Sequence, residues 1–599
     1  MTKRKSALSA LKPTKKQVIS SEDSDPEVVV VTNPPLDSPD AEESFISITE
    51  EDEAVRQLST FDFSAKNTKV VRDETRGRSR VFHGMKFKET IVLRGAYVVT
   101  VWSGVIHING ALVNINSPVD IPVFAPASHA LPQIEAAAGA PETRESGDED
   151  VMEALHQLEG SSVIVEIAAM PRRSENPLIT VSNFGKMSSG NIVPFVRQLW
   201  HCSEDDGSNY SRIYNTASVV TKSQAAVIPG IYDEWAEVCD DIRRLKHSST
   251  MVVGSQNTGK STFCKYLSAF MTTKKTGTSV AFVDLDPSNC EFTAPGQVSV
   301  TVIGAGHLSP YSILGPSFTH VTAPTYSRFV GYNNPKDDTR GYIEACKAVI
   351  DFAKGLKLPL VFNTCGWVRA AGHDLLRQLI DHVKPSDVVF TRDPGVDADQ
   401  ARLAESVKAR SHVLDAPDAE PPRFTGAEQH SLQTVTYLHG GNLASHLSDL
   451  PALEVGLESV YVGILDSEGV DLADVALSTN STLLAVMTMD KKTVKHAEIT
   501  PDGLQYLPNF DIPQGECLGQ AMVQFAGASV RLHTPVSASL LNAQLAADKA
   551  IVLVRGRIPL PVYELWDSRK GGEQAYVSFD VNSGVGSEAW VARRGLKRK

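Results

Sequence analysis

The stretch Thr250–Met271, TMVVGSQNTGKSTFCKYLSAFM, decides the fold. It opens on an apolar run, crosses a glycine-bounded loop ending in Lys260-Ser261, and continues into a helix-forming sequence. Gly254-Ser255-Gln256-Asn257-Thr258-Gly259-Lys260-Ser261 meets the spacing G-x-x-x-x-G-K-[ST] at every defined position. Each residue type has a physical task. Glycines let the backbone curl so that successive N–H groups point inward at phosphate oxygens. The helix start behind the loop adds the positive end of its dipole. Lys260 is placed to reach the β- and γ-phosphates, and the Ser261 hydroxyl to ligate Mg²⁺. These eight residues, with Thr262 after them, form the expected nucleotide site.

Such a loop needs an acid at the end of a neighbouring strand. Ser279–Phe292, SVAFVDLDPSNCEF, supplies Asp284 and Asp286 at the end of a β-branched apolar run. Side chains two apart on a strand share a face, so both carboxylates can turn toward the γ-phosphate. One can hold Mg²⁺ through water and the other can accept a proton from an attacking hydroxyl. P-loop folds carry many chemistries, so the acceptor has to be read elsewhere.

The alternation around this loop predicts an α/β core. Apolar runs TMVVG, VAFVDLD, PLVFNT and DVVFT alternate with helical stretches such as TRGYIEACKAVIDFAKGL, the pattern of a parallel sheet covered on both faces. This P-loop domain is expected over 226–445. From 66 to 225 short β-branched runs punctuated by Arg94-Gly95, Ser103-Gly104 and Asn109-Gly110 predict a β-sandwich-like domain, Asn109-Gly110 being a hairpin turn. An Ala/Pro/acidic stretch at about 125–157 reads as a mobile insertion. A β-rich pattern returns over 446–585, and 586–599 is a basic tail. Residues 1–65 carry a basic cluster (Lys3, Arg4, Lys5, Lys12, Lys15, Lys16) and acidic runs without core periodicity, the composition of a disordered extension with a possible nuclear address.

Bulk properties set outer bounds. At 599 residues one core cannot serve the whole chain. A net charge of -13 confines any nucleic-acid contact to a local basic groove. Seven scattered cysteines without a CxxC pair suit free thiols in a reducing compartment and exclude a cysteine-rich zinc module. No uninterrupted apolar run is long enough for a transmembrane helix, so no membrane partner is expected.

Three further stretches bring in a resemblance. Asp284–Val300 runs from the acid pair through Glu291-Phe292 and Pro295-Gly296; Tyr311–His320 and Tyr326–Ala345 follow; then comes PLVFNTCGWVRAAGHDLLRQLI, 359–380. With the approach helix IYDEWAEVCDDIRRL, these resemble the polynucleotide 5′-hydroxyl kinases, over roughly 80–565 and most sharply over 228–385. The order P-loop, D-x-D, N-T-x-G-W is specific to that family. EFTAPGQVSV, LGPSFTH and the charged N-terminal extension favour its nucleolar branch over the pre-mRNA cleavage-factor branch.

The resemblance implies transfer of the γ-phosphate of ATP, with Mg²⁺, to the 5′-hydroxyl of RNA. Carried onto this sequence, Lys260 and Ser261 bind phosphate and Mg²⁺, while Asp286 is favoured as general base and Asp284 as the Mg²⁺ partner, with exchange of the two left open. Asn363, Thr364, Gly366 and Trp367 would line the RNA 5′ end, where an indole can stack a terminal base of any sequence. A core aromatic after a strand would look the same. Arg328 and Arg369 are candidates for strand phosphates, as surface arginines would also be. In the nucleolar branch the kinase acts beside a HEPN-type endoribonuclease that leaves a 5′-hydroxyl in the second internal transcribed spacer of pre-rRNA. The tail EAWVARRGLKRK is the candidate docking segment, with Trp590 as anchor and Arg593 and Arg594 as charge partners.

Two departures stand out. Ser288-Asn289 follows the acid pair where relatives have Gly-Gln, and His430 stands where an arginine of the family's lid is expected, with Arg423 and Arg410 as substitutes. The expectation is therefore a nucleolar RNA 5′-hydroxyl kinase. Its alternatives are a cleavage-factor-type kinase of pre-mRNA or tRNA processing, and a catalytically weak ATP-binding scaffold.

Overall fold

The computed structural model describes residues 59–561, apart from 74–77, 127, 141, 171–215, 221–231, 246, 276, 393–396, 416–424, 441–446, 448–449, 468–469 and 511–514. The N-terminal charge clusters, Arg423 and the tail with Trp590, Arg593 and Arg594 lie outside the described residues.

The core is a seven-stranded sheet. Helix α1 (Tyr232–Arg243) leads into β1 (Ser249–Gly254), and α2 (Lys260–Lys274) follows the phosphate loop. Then come β2 (Ser279–Asp284), β3 (Gln297–Gly304), β4 (Tyr326–Phe329), α3 (Thr339–Gly355), β5 (Leu360–Asn363), α4 (Ala371–Val383), β6 (Asp387–Arg392), α5 (Asp397–Ser406), β7 (Arg410–Asp415) and α6 (Gly426–Leu438). The strand order is β4-β3-β2-β5-β1-β6-β7. Strands β2, β5, β1, β6 and β7 are parallel, whereas β3 and β4 run antiparallel at one edge. These two edge strands were not among the apolar runs that the alternation singled out. Met251, Val252 and Val253 in β1 are all buried, as a strand covered on both faces requires.

The two faces of the sheet are covered by different domains. On one face α2 packs beneath the N-terminal β-domain, and Phe263, Leu267 and Phe270 share a continuous core with Ile106, Val113 and Ile134. On the other, Tyr342 of α3 and Leu375 and Leu379 of α4 share a core with Met487 and Val552 of the C-terminal sheet. The P-loop sheet is thus clamped between two β-rich partners. Trp235 of α1 closes the first interface, edge-on to Phe263 at 5.2 Å and to Tyr266 at 5.3 Å.

Among the described residues the N-terminal domain has nine strands, organised by the long strand Thr90–Ser103, which pairs with four others. The hairpin read from Asn109-Gly110 is present: Ile108 lies opposite Ala111, and both turn residues have positive φ (47° and 82°). Its tip sits on α2 so closely that a Cβ on Gly110 would lie 2.9 Å from Cα of Tyr266. Asn109 Nδ2 donates to the Leu314 carbonyl (2.8 Å) and Leu112 N–H to Thr273 Oγ1 (2.9 Å). Two sequence expectations are corrected here. Residues 59–65 belong to the domain rather than to the extension, since Phe61 is buried and Ser59 Oγ donates to the Val220 carbonyl (2.8 Å). The stretch 125–157 is not simply an insertion: Gln133–Ala137 is a sheet strand between Thr90–Ser103 and Val105–Ile108, and helix Glu149–His156 buries Val151 and Leu155 against Phe82 and Trp102. Its polar and Ala-rich composition hid the few apolar side chains that carry the packing.

The C-terminal domain is an eight-stranded mixed sheet running from Leu453–Gly456 to Lys549–Arg555. Its strand Glu516–Ala526 receives β4 and α6: Ser327 Oγ donates to the Cys517 carbonyl (2.7 Å), and Gln520 N–H to Tyr437 OH (2.8 Å). The six described cysteines are buried free thiols.

Candidate active site

Register brings the site together. Asn363 pairs with Asp284 on one side and Val252 on the other, while Gly254 lies opposite Thr391. The C-terminal ends of β2, β5, β1 and β6 therefore form one rim, where ligands bind in open parallel sheets.

The loop between β1 and α2 is shaped by three positions. A Cβ on Gly254 would lie 2.7 Å from Thr258 Oγ1 and 2.9 Å from the Thr391 carbonyl, so only glycine fits between β1 and β6. The left-handed conformations belong to Asn257 (φ 63°) and Gly259 (φ 86°), the latter capping α2 without a side-chain hydrogen bond. The first N–H groups of α2 therefore remain available to an anion. Thr258 Oγ1 shares a 2.6 Å hydrogen bond with Thr391 Oγ1, which ties the loop to β6. Thr391 was not identified from sequence; its place at the end of DVVFT, beside the loop strand, is the signal that marks it.

Lys260 is buried, with Nζ donating to the Ser255 carbonyl at 2.6 Å inside the loop. Burial lowers its pKa, and the Asp286 charge opposes that shift. The two acids differ sharply. Both Asp284 oxygens are engaged: Oδ1 accepts from Asn363 Nδ2 (3.0 Å) and Asp286 N–H (3.2 Å), Oδ2 from Glu291 N–H (2.6 Å). Burial, with the Asp286 carboxylate adding to it, raises the Asp284 pKa to about 8 against those hydrogen bonds. Such a group is ready for a compensating cation. Asp286 lies past the strand end, where its Oδ1 accepts from Ser288 N–H (3.0 Å) and Asn289 N–H (3.3 Å). Its charge acts on both Lys260 and His430.

Of the residues expected at the strand-binding side, Asn363 and Thr364 are redirected. Both are fully buried. Asn363 is a link inside the phosphate site, since its Oδ1 accepts from Ser261 Oγ (3.3 Å) while its Nδ2 holds Asp284. Thr364 Oγ1 donates to the Val252 carbonyl (2.7 Å), fastening β5 to β1. Gly366 and Trp367 are only partly buried. Gly366 abuts the phosphate loop: a Cβ there would lie 2.7 Å from Gln256 Cγ and 2.9 Å from its N. Trp367 is half-buried, backed by Gly372 of α4, with Lys336 Nζ 5.1 Å from its ring centroid. Arg369 is exposed just beyond it, whereas Arg328 sits on edge strand β4, close enough to Cys517 for its charge to act on that thiol.

The two departures meet each other. Ser288 Oγ and His430 Nε2 are 3.2 Å apart, and Gln433 Nε2 on the same helix donates to the Thr293 carbonyl (3.0 Å). Burial lowers the His430 pKa against the pull of Asp286. Arg410, considered as a substitute for a lid arginine, is not in this place. It starts β7 at the opposite end of the sheet and pairs with Asp387 at 2.8 Å. Behind the site, buried Glu291 joins Lys265 (2.9 Å) and His320 (2.7 Å). Burial alone would raise its pKa, but Lys265 and His320 outweigh it and bring it down to about 2.

Hard oxygen donors (the Ser261 hydroxyl and a buried carboxylate) beside a phosphate cradle suit a small divalent cation that keeps some water and phosphate ligands.

Residues 254–430 match the family model described as mRNA cleavage and polyadenylation factor CLP1 P-loop. The polynucleotide 5′-hydroxyl-kinase GRC3 of Gibberella zeae is 24% identical over 85% of this chain and 73% of its own length. The Aspergillus niger protein of that name is 25% identical over 83% and 68%, and that of Schizosaccharomyces pombe 23% over 58% and 54%. By these matches the chain is similar to the polynucleotide 5′-hydroxyl kinases. It is a P-loop kinase, and the P-loop match implies ATP as donor. A solved Clp1p–Pcf11p complex aligns with this kinase over 79% of the chain and 96% of its own, at 13% identity and a TM-score of 0.46. The matched span begins at the first glycine of the phosphate loop and ends at His430, taking in Lys260, Asp284, Asp286, Asn363 and Thr391.

Proposed function

We propose that this chain transfers the γ-phosphate of ATP to the 5′-hydroxyl of an RNA strand, in ribosomal RNA processing. The observation that carries the reading is the contact of Gly366 with the phosphate loop, which sets Trp367 one residue from the cradle. A terminal base on that indole brings its own 5′-hydroxyl toward the γ-phosphate. Asp286 then accepts the hydroxyl proton as the oxygen attacks the γ-phosphorus, the bond from that phosphorus to the bridging oxygen opposite breaks with ADP leaving, and Lys260 offsets charge on the transferring group. Ser261 and Asp284 are the residues that would hold Mg²⁺, which would neutralise phosphate charge when bound.

The strand would come from an endoribonuclease that leaves 5′-hydroxyl ends in the second internal transcribed spacer, with the C-terminal tail as docking segment and the nucleolus as location. The basic tail and the basic N-terminal cluster are the features that fit this setting. Co-purification of a HEPN-type nuclease, rather than polyadenylation factors, is the expected outcome.

Full-length protein incubated with γ-labelled ATP and a 5′-hydroxyl RNA oligonucleotide is expected to label the oligonucleotide. A second reading, an ATP-binding scaffold with little turnover, draws on α6, whose sequence GAEQHSLQTVTYL presents His430 and no arginine or lysine. Tight ATP binding without label would favour it.

Trp367→Ala is expected to raise KM for the oligonucleotide by about tenfold, as loss of one base stack implies, with ATP affinity retained. Unchanged KM would return the indole to the core. Asn363→Ala removes the link between Ser261 and Asp284, and its kcat is expected to fall by about 10–100-fold with a higher half-saturating Mg²⁺ concentration. An unaltered Mg²⁺ titration of nucleotide binding would contradict that role.

A further inference from the structure

We propose that Lys336 gates Trp367, covering the indole in the empty enzyme and moving to the first internucleotide phosphate of the acceptor strand when a base takes its place. The inference rests on the reading of Trp367 as the stacking platform. Lys336 itself belongs to neither the P-loop nor the N-T-x-G-W stretch, and was not a sequence candidate.

The geometry is specific. The Lys336 ammonium stands over the indole at 5.1 Å from its centroid. The ring is also held by α4: a Cβ on Gly372 would lie 2.6 Å from Trp367 Cγ and 2.7 Å from Cδ1, so the helix packs closely on the five-membered edge of the indole. A base that stacks on the face Lys336 covers must displace the ammonium. The lysine is exposed, and among the described residues no carboxylate lies within ion-pair distance of its Nζ. Its loop is anchored at the backbone. The Lys336 N–H donates to Asn334 Oδ1 (3.1 Å), and Asp338 caps α3 through Gly341 N–H (3.0 Å). The side chain can swing while its base stays in place.

Magnitudes favour the exchange. An exposed cation–π contact is worth about two- to fivefold in an equilibrium, whereas a stacked base is worth about 5- to 100-fold. The displaced ammonium also gains a phosphate partner, which a strand offers on the 3′ side of its terminal nucleoside. In a protein of net charge -13, one well-placed cation at the strand end has a large share of the local field.

The test compares wild type, Lys336→Met and Lys336→Arg by fluorescence anisotropy with a 5′-hydroxyl RNA oligonucleotide and a non-hydrolysable ATP analogue, from about 50 to about 200 mM KCl. At the lowest salt Lys336→Met is expected to bind ~3- to 10-fold more weakly, with a log–log salt slope shallower by about 0.7, the value for one phosphate contact on a single strand. Lys336→Arg should recover both. Affinity and slope unchanged in Lys336→Met, while Trp367→Ala weakens binding, would overturn the gate and leave the kinase reading intact. Loss of affinity with no change in slope would also overturn it, because a packing defect lacks the counterion signature. Failure of wild-type protein to engage or label the oligonucleotide would instead bring down the reading beneath it.

Discussion

Lys260→Ala is expected to lower kcat for end-labelling by about 10³-fold or more, the scale set by removing a preorganised cation from a phosphoryl-transfer site. The side chain already lies within the cradle, bonded to the Ser255 carbonyl at 2.6 Å, so little reorganisation is needed when phosphate arrives. The neighbouring cation cannot substitute. Lys265, on the next turn of α2 after Ser261, is committed to Glu291 at 2.9 Å and to the Gly315 carbonyl at 2.8 Å. The fold should survive, because the loop is held by Gly254, Thr258 and Thr391 rather than by the lysine. Steady-state kinetics together with a melting curve check this. Wild-type turnover in a folded variant would remove Lys260 from the mechanism.

Asp286→Asn is expected to cost about 10²–10⁴ in kcat, the usual contribution of a general base, with ATP affinity and Tm nearly unchanged. Asparagine is the informative replacement because its carbonyl oxygen can still accept from Ser288 and Asn289 N–H, as Asp286 Oδ1 does at 3.0 and 3.3 Å. The ability to take a proton is lost, together with the negative charge that acts on Lys260 and His430. The resemblance favoured Asp286 as base and left exchange of the two acids open, and their surroundings point the same way. Asp284 has both oxygens committed to N–H donors, and burial raises its pKa to about 8, which fits a partner for a cation. Asp286 stands beyond the strand, next to Lys260 and His430. If Asp286→Asn kept full turnover while Asp284→Asn lost it without any change in Mg²⁺ dependence, the two roles would have to be exchanged.

The sequence made local features legible where local chemistry determines them. The phosphate loop, the Asn109-Gly110 hairpin and the apolar strands β1, β2, β5 and β6 each follow from residue type and spacing within about ten positions. Strand β3 was missed although all eight of its residues are buried, because the polar side chains of Gln297, Ser299 and Thr301 broke its apolar run. Such polarity is tolerated where a partner waits far along the chain, as Ser327 does for Gln297. The site was half legible for the same reason. Asn363 and Thr364 read as strand-facing from their motif, yet the register of β5 between β2 and β1 turns one toward Ser261 and Asp284 and the other toward Val252. Ser288 and His430, 142 positions apart, could not be read as a pair before the packing of α6 was known. Lys336 gives no signal at all in a sequence; only its placement over Trp367 singles it out.

The central claim is that the cradle around Lys260 hands its phosphate to the 5′ end of a polynucleotide. Digestion of the labelled product to mononucleotides tests this most directly. All transferred label is expected to be released as nucleoside 5′-monophosphate from a 5′-hydroxyl strand, and a strand already phosphorylated at that end is expected to take up none. Label recovered only as inorganic phosphate, or equally from both strands, would contradict it.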